Sequence, residues 1–201
     1  MQPSNSTAPL QALRKDMSKH CADLSEELWE GFARQCREVN IRKRNEVFTD
    51  QPKPNDLLFV TRGICAAQLA LSDGQVVISR FFEAGDLCAV VRFTHMGQHT
   101  ENSIVAVTPV EGVIIPLEIW DSAQFEGGWL APYTRHKMYR QHLFEIDMLH
   151  LKSVNRTDVS YEFLKERHPT VLQEAPQTVL AQFCGITPEG FSRFLRNYTG
   201  R

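Results

Sequence analysis

The middle of the chain alternates between short runs of strand-forming residues and turn signals. The runs are rich in Val, Ile, Leu and Phe, and turn pairs such as Arg-Gly at 62–63 and Gly-Asp at 85–86 separate them. Runs of this length and spacing predict an antiparallel barrel or sandwich. The Ser-Asp-Gly sequence at 72–74 predicts a hairpin turn between two of them. The predicted strands cover residues 47–48, 57–61, 64–71, 75–82, 103–107 and 112–116.

Before these strands, the pattern has a helical character. Residues up to about Pro9 are predicted to be a flexible tail, and residues 10–38 to be helical. Ser25 followed by two glutamates is typical of a helix start within that region. Leu28 and Phe32 are the expected buried side chains, together with Ala33 or Cys36.

After the strands, a long helix is predicted over residues 128–154 and a shorter one over 158–167. In the long helix, apolar and aromatic residues recur at alternating spacings of four and three, which is typical of a coiled-coil-like seam. The seam consists of Tyr139, Leu143, Ile146 and His150. An alternative interpretation, in which this helix packs on the strands of its own chain, accounts for Met148 and Leu151. The two interpretations use different faces and are compatible.

The last part of the chain, residues 175–196, predicts two short helices joined by a tight turn. Pro176 suits a first helical position, and Gly185 suits a position where a helix ends. Thr187 followed by proline and glutamate is typical of a new helix start. Phe191, Phe194 and Leu195 then form one apolar stripe, which leaves Glu189, Ser192, Arg193 and Arg196 on the wetted side. This arrangement predicts a helix-turn-helix, although an ordinary helical hairpin has the same spacing.

Composition and charge narrow the class of protein. The chain has 201 residues, of which 42% are hydrophobic and 23% charged, as in a globular protein with a real core. The net charge of −2 gives no general attraction to nucleic acid, and the segment from Lys152 onward has seven basic and five acidic residues. The five cysteines form no C-x-x-C pair, so free thiols are expected rather than a disulfide framework or a zinc site. No apolar run reaches the length of a membrane span, and a cytoplasmic protein without a membrane partner is predicted.

The two-helix segment resembles the DNA-binding motif of the Crp/Fnr family of bacterial transcription regulators. In that family a glutamate and an arginine four residues later commonly read bases, and Glu189 and Arg193 stand at the matching positions. The resemblance implies base contacts for these two residues. Phosphate contacts are expected from Gln177, Thr187, Ser192 and Arg196, while Gly190 leaves a smooth surface that can approach DNA closely.

The strand region carries a second resemblance. The sequences at 57–63, 71–74 and 81–86 resemble the cyclic-nucleotide-binding β-roll, which is the sensor domain of the same family. Together the two resemblances imply an α+β fold in four parts. These are an N-terminal tail and helix start (1–20), an antiparallel β-roll (21–127), a dimerisation helix (128–154) and a helix-turn-helix domain (155–201).

The sequence departs from the pattern of the family members that bind cyclic AMP, so cyclic AMP is not the expected effector. Family members that bind this nucleotide carry a glutamate for the ribose and an arginine beside a hydroxyl residue for the phosphate. Here Ala89 stands in place of the glutamate, and Thr100 and Glu101 stand in place of the arginine pair. A carboxylate at that place would repel a phosphate. An effector pocket, if present, is expected to be lined by Gly85, Leu87, Ala89, Val90, Thr100, Glu101, Tyr139 and Leu143.

Other cofactors of the family are also considered. Only Cys21 and Cys36 lie near the N-terminus, so an iron–sulfur cluster is not expected. His95, His99 and His136 leave haem as a minor option, since none of them lies at a ligand-like helical spacing. No cofactor and no metal site is predicted.

The resemblance therefore implies a homodimeric, effector-responsive regulator that binds a near-palindromic DNA operator and is not an enzyme, with RNA polymerase as a further partner that it allows. Most family members have a β-hairpin wing after the second helix, whereas this sequence ends at Arg201. The run at 161–169 resembles a short-tailed branch of the family that also lacks the wing. The alternative hypothesis is a degenerate sensor that keeps the fold, binds a small molecule or a protein partner, and no longer binds DNA.

Overall fold

Two four-stranded antiparallel sheets face each other and have helices packed on both outer sides. The computed structural model describes residues 7–47, 56–70, 75–89, 92–95, 98–126 and 128–199. The first sheet has the strand order β1-β8-β2-β5 and the second β4-β3-β7-β6. The strands are β1 Arg37–Ile41, β2 Leu57–Arg62, β3 Cys65–Ala70, β4 Val76–Phe82, β5 Leu87–Ala89, β6 Arg92–His95, β7 Gln98–Ala106 and β8 Val110–Ile115.

The helices lie at the two ends of the chain. They are α1 Ala8–Met17, α2 Glu26–Ala33, α3 Leu117–Asp121, α4 Ala131–Val154, α5 Thr157–Arg167, α6 Pro169–Glu174, α7 Gln177–Phe183 and α8 Pro188–Thr199, with a π-helical turn at Ser122–Glu126 between α3 and α4. This combination of antiparallel sheets and helices confirms the predicted α+β fold.

Three apolar layers hold these elements together. The inner layer lies between the sheets and includes Leu58, Cys65 and Phe82. A second layer packs Phe59 and the neighbouring side chains of the first sheet against the N-terminal helices and α4. A third layer packs Phe81 and the outer face of the second sheet against α5 to α8. The central strands β2 and β8 contribute to both the inner and the second layer, so they read as largely apolar runs without strict alternation.

The N-terminal prediction is wrong in three respects. Residues 10–38 form two helices and the start of β1, because Ser25 begins a new helix by accepting a hydrogen bond from the Leu28 N–H at 3.2 Å. The buried face is also different: Trp29 and Phe32 are buried at a spacing of three, while Leu28 is 39% exposed. A tail up to Pro9 is shortened too, since α1 begins at Ala8.

Other boundaries differ from the sequence prediction in detail. The structure adds β5, β6, α3, the π-helical turn and α6, and it begins β7 at Gln98. Near Val47 there is a single bridge, Glu46 to Val105. The hairpin predicted at 72–74 and Phe48 lie outside the described residues. The domain boundaries stay a prediction, although the third apolar layer joins the second sheet to the C-terminal helices.

A half-buried ion pair fixes the start of α4 against α1 and the turn between β4 and β5. Lys137 Nζ lies 2.7 Å from Asp16 Oδ2 and donates to the Gly85 carbonyl oxygen at 2.6 Å. The Tyr133 hydroxyl donates to the same Asp16 oxygen at 2.9 Å. Burial raises the pKa of Asp16, but hydrogen bonds from Lys137 and Lys19 outweigh this effect and lower it from 3.8 to about 2. The pair therefore joins three segments that are far apart in the chain.

We expect Asp16→Asn to lower the free energy of unfolding at pH 7 by about 2 kcal/mol, because it leaves the half-buried Lys137 ammonium without a counter-charge. Since the folded pKa of Asp16 lies below its unfolded value, its stabilising effect is complete above about pH 5 and is lost as the pH falls towards 2. Urea unfolding of the two proteins from pH 7 to pH 3 would measure this, and the difference should shrink at the acidic end.

The matched control is Arg62→Gln, which removes an exposed pair with Glu111 at 3.5 Å. An exposed pair of this kind contributes little, so its free energy of unfolding should stay within about 0.5 kcal/mol of the wild type. Equal effects of the two substitutions would contradict a special role for Asp16.

Candidate DNA-binding site and effector pocket

The turn between α7 and α8 is fixed by backbone hydrogen bonds at the end of α7. Gly185 has a φ of +69°, which is the left-handed conformation that ends many helices. The Ile186 N–H donates to the Ala181 carbonyl at 3.1 Å, and the Gly185 N–H donates to the Gln182 carbonyl at 3.4 Å. These two bonds form a Schellman motif. The helix end predicted at Gly185 is therefore present, with α7 beginning one residue after Pro176.

The start of α8 is capped as the sequence predicts. The Thr187 hydroxyl oxygen accepts a hydrogen bond from the Gly190 N–H at 3.1 Å, which satisfies one of the free donors of the first turn. A Cβ atom at Gly190 would lie 3.3 Å from the same hydroxyl. The small residue at this position thus leaves room for the cap as well as a smooth surface.

The apolar face of α8 is anchored on α5 and α7. Phe191 is fully buried, and so is Ala181 on the facing helix, where a small side chain allows close packing. Tyr161 of α5 contacts three rings of α8, with centroid distances of 6.2 Å to Phe191, 5.4 Å to Phe194 and 5.0 Å to Tyr198. The orientation of α8 is therefore set by aromatic packing along most of its length.

The opposite face of α8 is exposed and polar. Glu189 and Arg193 lie one turn apart on this face, and neither side chain forms an ion pair within the described part of the chain. Of the seven predicted DNA-contacting residues, six are exposed and Gly190 is half-buried. The exposed ones are Gln177, Thr187, Glu189, Ser192, Arg193 and Arg196. The structure thus leaves the predicted set available to a ligand, while its contact with DNA stays a prediction.

The long helix α4 presents an exposed apolar stripe. Tyr139 is 62% exposed, Ile146 51% and Leu143 44%, and His150 is also exposed. Met138 and Leu149 extend the stripe beyond the predicted seam. The other side of the helix buries Tyr133 and Leu151, as the interpretation that packs this helix on its own chain expects, while pairing through the exposed stripe stays a prediction. Leu151 agrees with the sequence prediction.

The predicted effector pocket is only partly described. Gly85 has a φ of +94° and its carbonyl oxygen accepts from Lys137, while Leu87 and Ala89 are half-buried in β5. Tyr139 and Leu143 are exposed on α4. Val90 and the side chains of Thr100 and Glu101 lie outside the described residues. The backbones of residues 100 and 101 pair with β6 in an antiparallel arrangement.

Arg80 is a charged residue of this region that the sequence prediction missed. It lies on β4 on the same side as Phe82, and its guanidinium carbon is 4.7 Å from the centroid of the Phe82 ring and 4.6 Å from that of Phe144 on α4. Its Nε atom is buried and makes no hydrogen bond. The sequence signal is an arginine within an otherwise strand-like run, but both faces of β4 carry apolar residues, so the pattern does not separate inside from outside.

Polar and aromatic side chains add to the third apolar layer in linking the β-roll to the C-terminal helices. His168 Nδ1, before α6, lies 2.6 Å from Glu83 Oε2 in the turn between β4 and β5. The Phe81 ring of β4 lies 5.3 Å from the Phe183 ring of α7. An open groove of about 1190 Å³ runs beside the Glu83–His168 pair. Strand β4 and the turn that follows it are therefore in direct contact with the C-terminal helices.

The histidines and cysteines form no metal site among the described residues, where no three or more His, Cys, Asp or Glu side chains are grouped to hold a metal ion. His20 and His136 stack with their ring centroids 3.8 Å apart, and burial together with the charge of His20 lowers the pKa of His136. The five cysteines are free, and burial raises the pKa of both Cys36 and Cys184 to about 12. The side chains of His95 and His99 lie outside the described residues, so haem stays untested.

Comparison with known proteins was made on sequence and on structure. No protein-family model and no curated protein sequence matches this chain. A cyclic nucleotide-binding domain-containing protein from Listeria monocytogenes is similar with a TM-score of 0.65 and 14% identity, over 92% of this chain and 89% of that chain. A transcriptional regulator of the Crp/Fnr family from Eubacterium rectale gives a TM-score of 0.63 and 17% identity, over 89% and 85%. The c-di-GMP responsive global regulator CLP from Xanthomonas campestris gives 0.63 and 18%, over 85% and 90%.

Identities this low establish the fold. The chain has the fold of Crp/Fnr regulators, a β-roll followed by a C-terminal helical domain, and the resemblance found in the sequence is confirmed at that level. Within the described residues, no helix is long and apolar enough to cross a membrane.

We expect Gly185→Ala to lower the free energy of unfolding by about 1 to 2 kcal/mol, because a Cβ is disfavoured in the left-handed conformation. No atom lies within 4 Å of the added Cβ, so the effect would come from the backbone alone. Chemical denaturation would measure it.

Gly31 inside α2 is the matched control, because a Cβ added there also meets no atom within 4 Å but the backbone is helical. Gly31→Ala should raise stability by about 0.5 to 1 kcal/mol. A destabilising effect at Gly31, or none at Gly185, would contradict the assignment of the turn.

Proposed function

We propose that this protein is a homodimeric, sequence-specific DNA-binding transcription regulator whose β-roll responds to an effector. The observation that carries the proposal is the α7–α8 unit, in which α8 is capped, anchored by Phe191 and free on its polar face. In a helix-turn-helix the N-terminal residues of the second helix contact base edges in the major groove. Glu189 and Arg193 occupy the first two turns of α8.

The chemistry of the exposed face supports base reading. A glutamate accepts a hydrogen bond from the cytosine amino group, and an arginine donates two to guanine. Both side chains are free of ion pairs in the described structure, so DNA binding would break no internal salt bridge. Gln177, Thr187, Ser192 and Arg196 surround them with groups that can hold phosphates.

Charge and symmetry favour a dimer. The C-terminal segment has only a small excess of basic residues, so one copy would hold DNA weakly. Two copies related by a twofold axis would place two α8 helices on a near-palindromic site. The exposed apolar stripe on α4 supports this pairing, since its members, among them Tyr139, Leu143, Ile146 and Leu149, would otherwise face water.

The contacts between the sheets and the helices supply a physical route for regulation. Ala181 of α7 and Phe191 of α8 pack in the same apolar layer as Phe81 of β4. A ligand that binds one arrangement of the strands more tightly than another would shift the position of α8. We propose an effector other than cyclic AMP, because Ala89 and Glu101 do not offer the groups that this nucleotide requires.

The resemblance also suggests a contact with RNA polymerase, and it favours a cytoplasmic, non-enzymatic role. The alternative function is a sensor that has kept the fold and lost DNA binding. The small basic excess of the C-terminal segment favours this alternative, since known DNA readers commonly rely on phosphate attraction.

Selection of DNA from a random pool, at two salt concentrations, tests the proposed function. The wild-type protein should enrich a near-palindromic sequence. Arg193→Ala should weaken binding to that sequence by about tenfold or more, because it removes a bidentate contact to guanine. Arg34→Ala is the matched control and should bind like the wild type, since Arg34 is an exposed arginine directly after α2.

Three results are possible in this experiment. Enrichment that is lost with Arg193→Ala and kept with Arg34→Ala would support the proposed function. Enrichment that survives Arg193→Ala would contradict the role of this residue. Background binding that depends only on salt, with and without cell extract as a source of effector, would favour the alternative sensor function.

The dimer is tested by Ile146→Asp, which places a charge in the exposed stripe of α4. We expect the wild type to sediment as a dimer at micromolar concentration and the variant as a monomer, because a buried unpaired charge opposes association. Lys152→Asp is the control, since Lys152 lies about 200° around the helix from His150. A wild-type monomer, or an unchanged dimer in Ile146→Asp, would show that α4 is not the interface.

A further inference from the structure

Arg80 lies at the edge of the inner apolar layer of the roll. Its neighbour across the sheet is Ala67, and its neighbour on the same face of β4 is Phe82, both of which belong to that layer. Phe144 of α4 covers the guanidinium from the other side. The arginine therefore sits between the sensor strands and the long helix, next to the turn that contains Gly85.

The guanidinium has unmet hydrogen-bonding capacity. It carries five N–H donors, yet it makes no hydrogen bond or ion pair with any residue that the structure describes. Its Nε is buried, whereas the two terminal nitrogens, which also form no hydrogen bond with the described residues, retain access to solvent. The two phenyl rings stabilise the positive charge but satisfy none of the donors. Buried polar groups without partners are rare in folded proteins and indicate a missing ion, water or ligand.

The nearest acidic groups do not fill this role. Asp86 accepts a hydrogen bond from the Glu83 N–H at 2.9 Å, and Glu145 accepts one from the Gln141 side chain at 2.8 Å. Both carboxylates act on Arg80 through space only, and Arg140 opposes them. Burial lowers the pKa of Arg80, so an anion placed beside the guanidinium would relieve an existing desolvation penalty.

We propose that Arg80 binds the carboxylate or phosphate group of a small effector through its two terminal nitrogens. This inference rests on the proposed sensor function of the roll and adds the chemical class of the effector. An oxyanion can accept two parallel hydrogen bonds from a guanidinium, which is a strong and directional contact. The two phenyl rings hold the guanidinium plane in place for that contact.

The position of Arg80 would allow the bound anion to influence the C-terminal helices. Phe144 lies between Arg80 and His168, with its ring centroid 6.3 Å from the imidazole, and it also lies 6.5 Å from the Phe163 ring of α5. His168 in turn pairs with Glu83. A change in the position of Phe144 would thus displace His168, which precedes the helix-turn-helix.

The test is thermal unfolding of the full chain, without DNA, in inorganic phosphate or acetate at constant ionic strength set with chloride. We expect a saturable rise in Tm with at least one of the two anions, and the anion that acts identifies the effector as a phosphate or a carboxylate. Arg80→Met should abolish the rise or weaken the apparent affinity by about tenfold or more. Arg62→Met, which removes an exposed arginine of β2, should keep it.

A second measurement separates binding from a structural role. In dilute buffer without either anion, Arg80→Met should have a Tm equal to or above that of the wild type, because methionine fills the space between the two rings without an unpaired charge. A lower Tm would mean that Arg80 serves to hold Phe82 and Phe144 together, and it would overturn the proposal. No Tm rise in the wild type, or the same rise in Arg80→Met, would overturn it as well.

Because this assay contains no DNA, its outcome is independent of the DNA selection. An anion response that depends on Arg80, in a protein that enriches no DNA, would support the anion-binding site and contradict the regulator function. Enrichment of an operator by a protein without an anion response would do the reverse.

Discussion

The burial of both faces of β4 is the constraint on which the rest of the structure depends. Phe82 on one face closes the inner layer of the roll, and Phe81 on the other face packs against Phe183 of α7. Strand β4 therefore packs against the interior of the roll on one face and against the helix-turn-helix on the other. Because protein interiors are close-packed, a displacement of the side chains on one face of β4 is transmitted to the side chains on the other face. The proposed regulation needs no separate coupling element.

The two ends of the molecule use polar groups in opposite ways. Near α1, the charges of Asp16 and Lys137 are half-buried, paired and hydrogen-bonded, so they hold α4 in a fixed position. On α8, Glu189 and Arg193 are exposed and unpaired within the described residues. The first arrangement stabilises the fold, and the second leaves hydrogen-bonding capacity for a partner.

The sequence predicted best where local chemistry determines structure. Gly185 and Thr187 specify the end of α7 and the start of α8 through their own backbone preferences and hydrogen bonds, and the structure has both. Prediction failed where distant packing decides. The spacing of Leu28 and Phe32 suits a helix face as well as that of Trp29 and Phe32, and only contact with the N-terminal core selects the second. The short strand β5 likewise forms because β2, which is distant in sequence, offers a pairing partner.

Arg80 shows the same limit at the candidate effector site. The run from Val76 to Phe82 alternates polar and apolar residues poorly, and a bulge opposite Ala67 and Gln68 moves Ile78 to the outer face. The sequence therefore could not say which face of β4 is enclosed or that an arginine lies there without a counter-charge. The prediction against cyclic AMP considered only the residues after Gly85, where Thr100 and Glu101 stand in place of the expected arginine pair. A charge supplied by β4 instead would bind an anion from a different direction, so the loss of the cassette arginine excludes one geometry of ligand while leaving anionic effectors as a class.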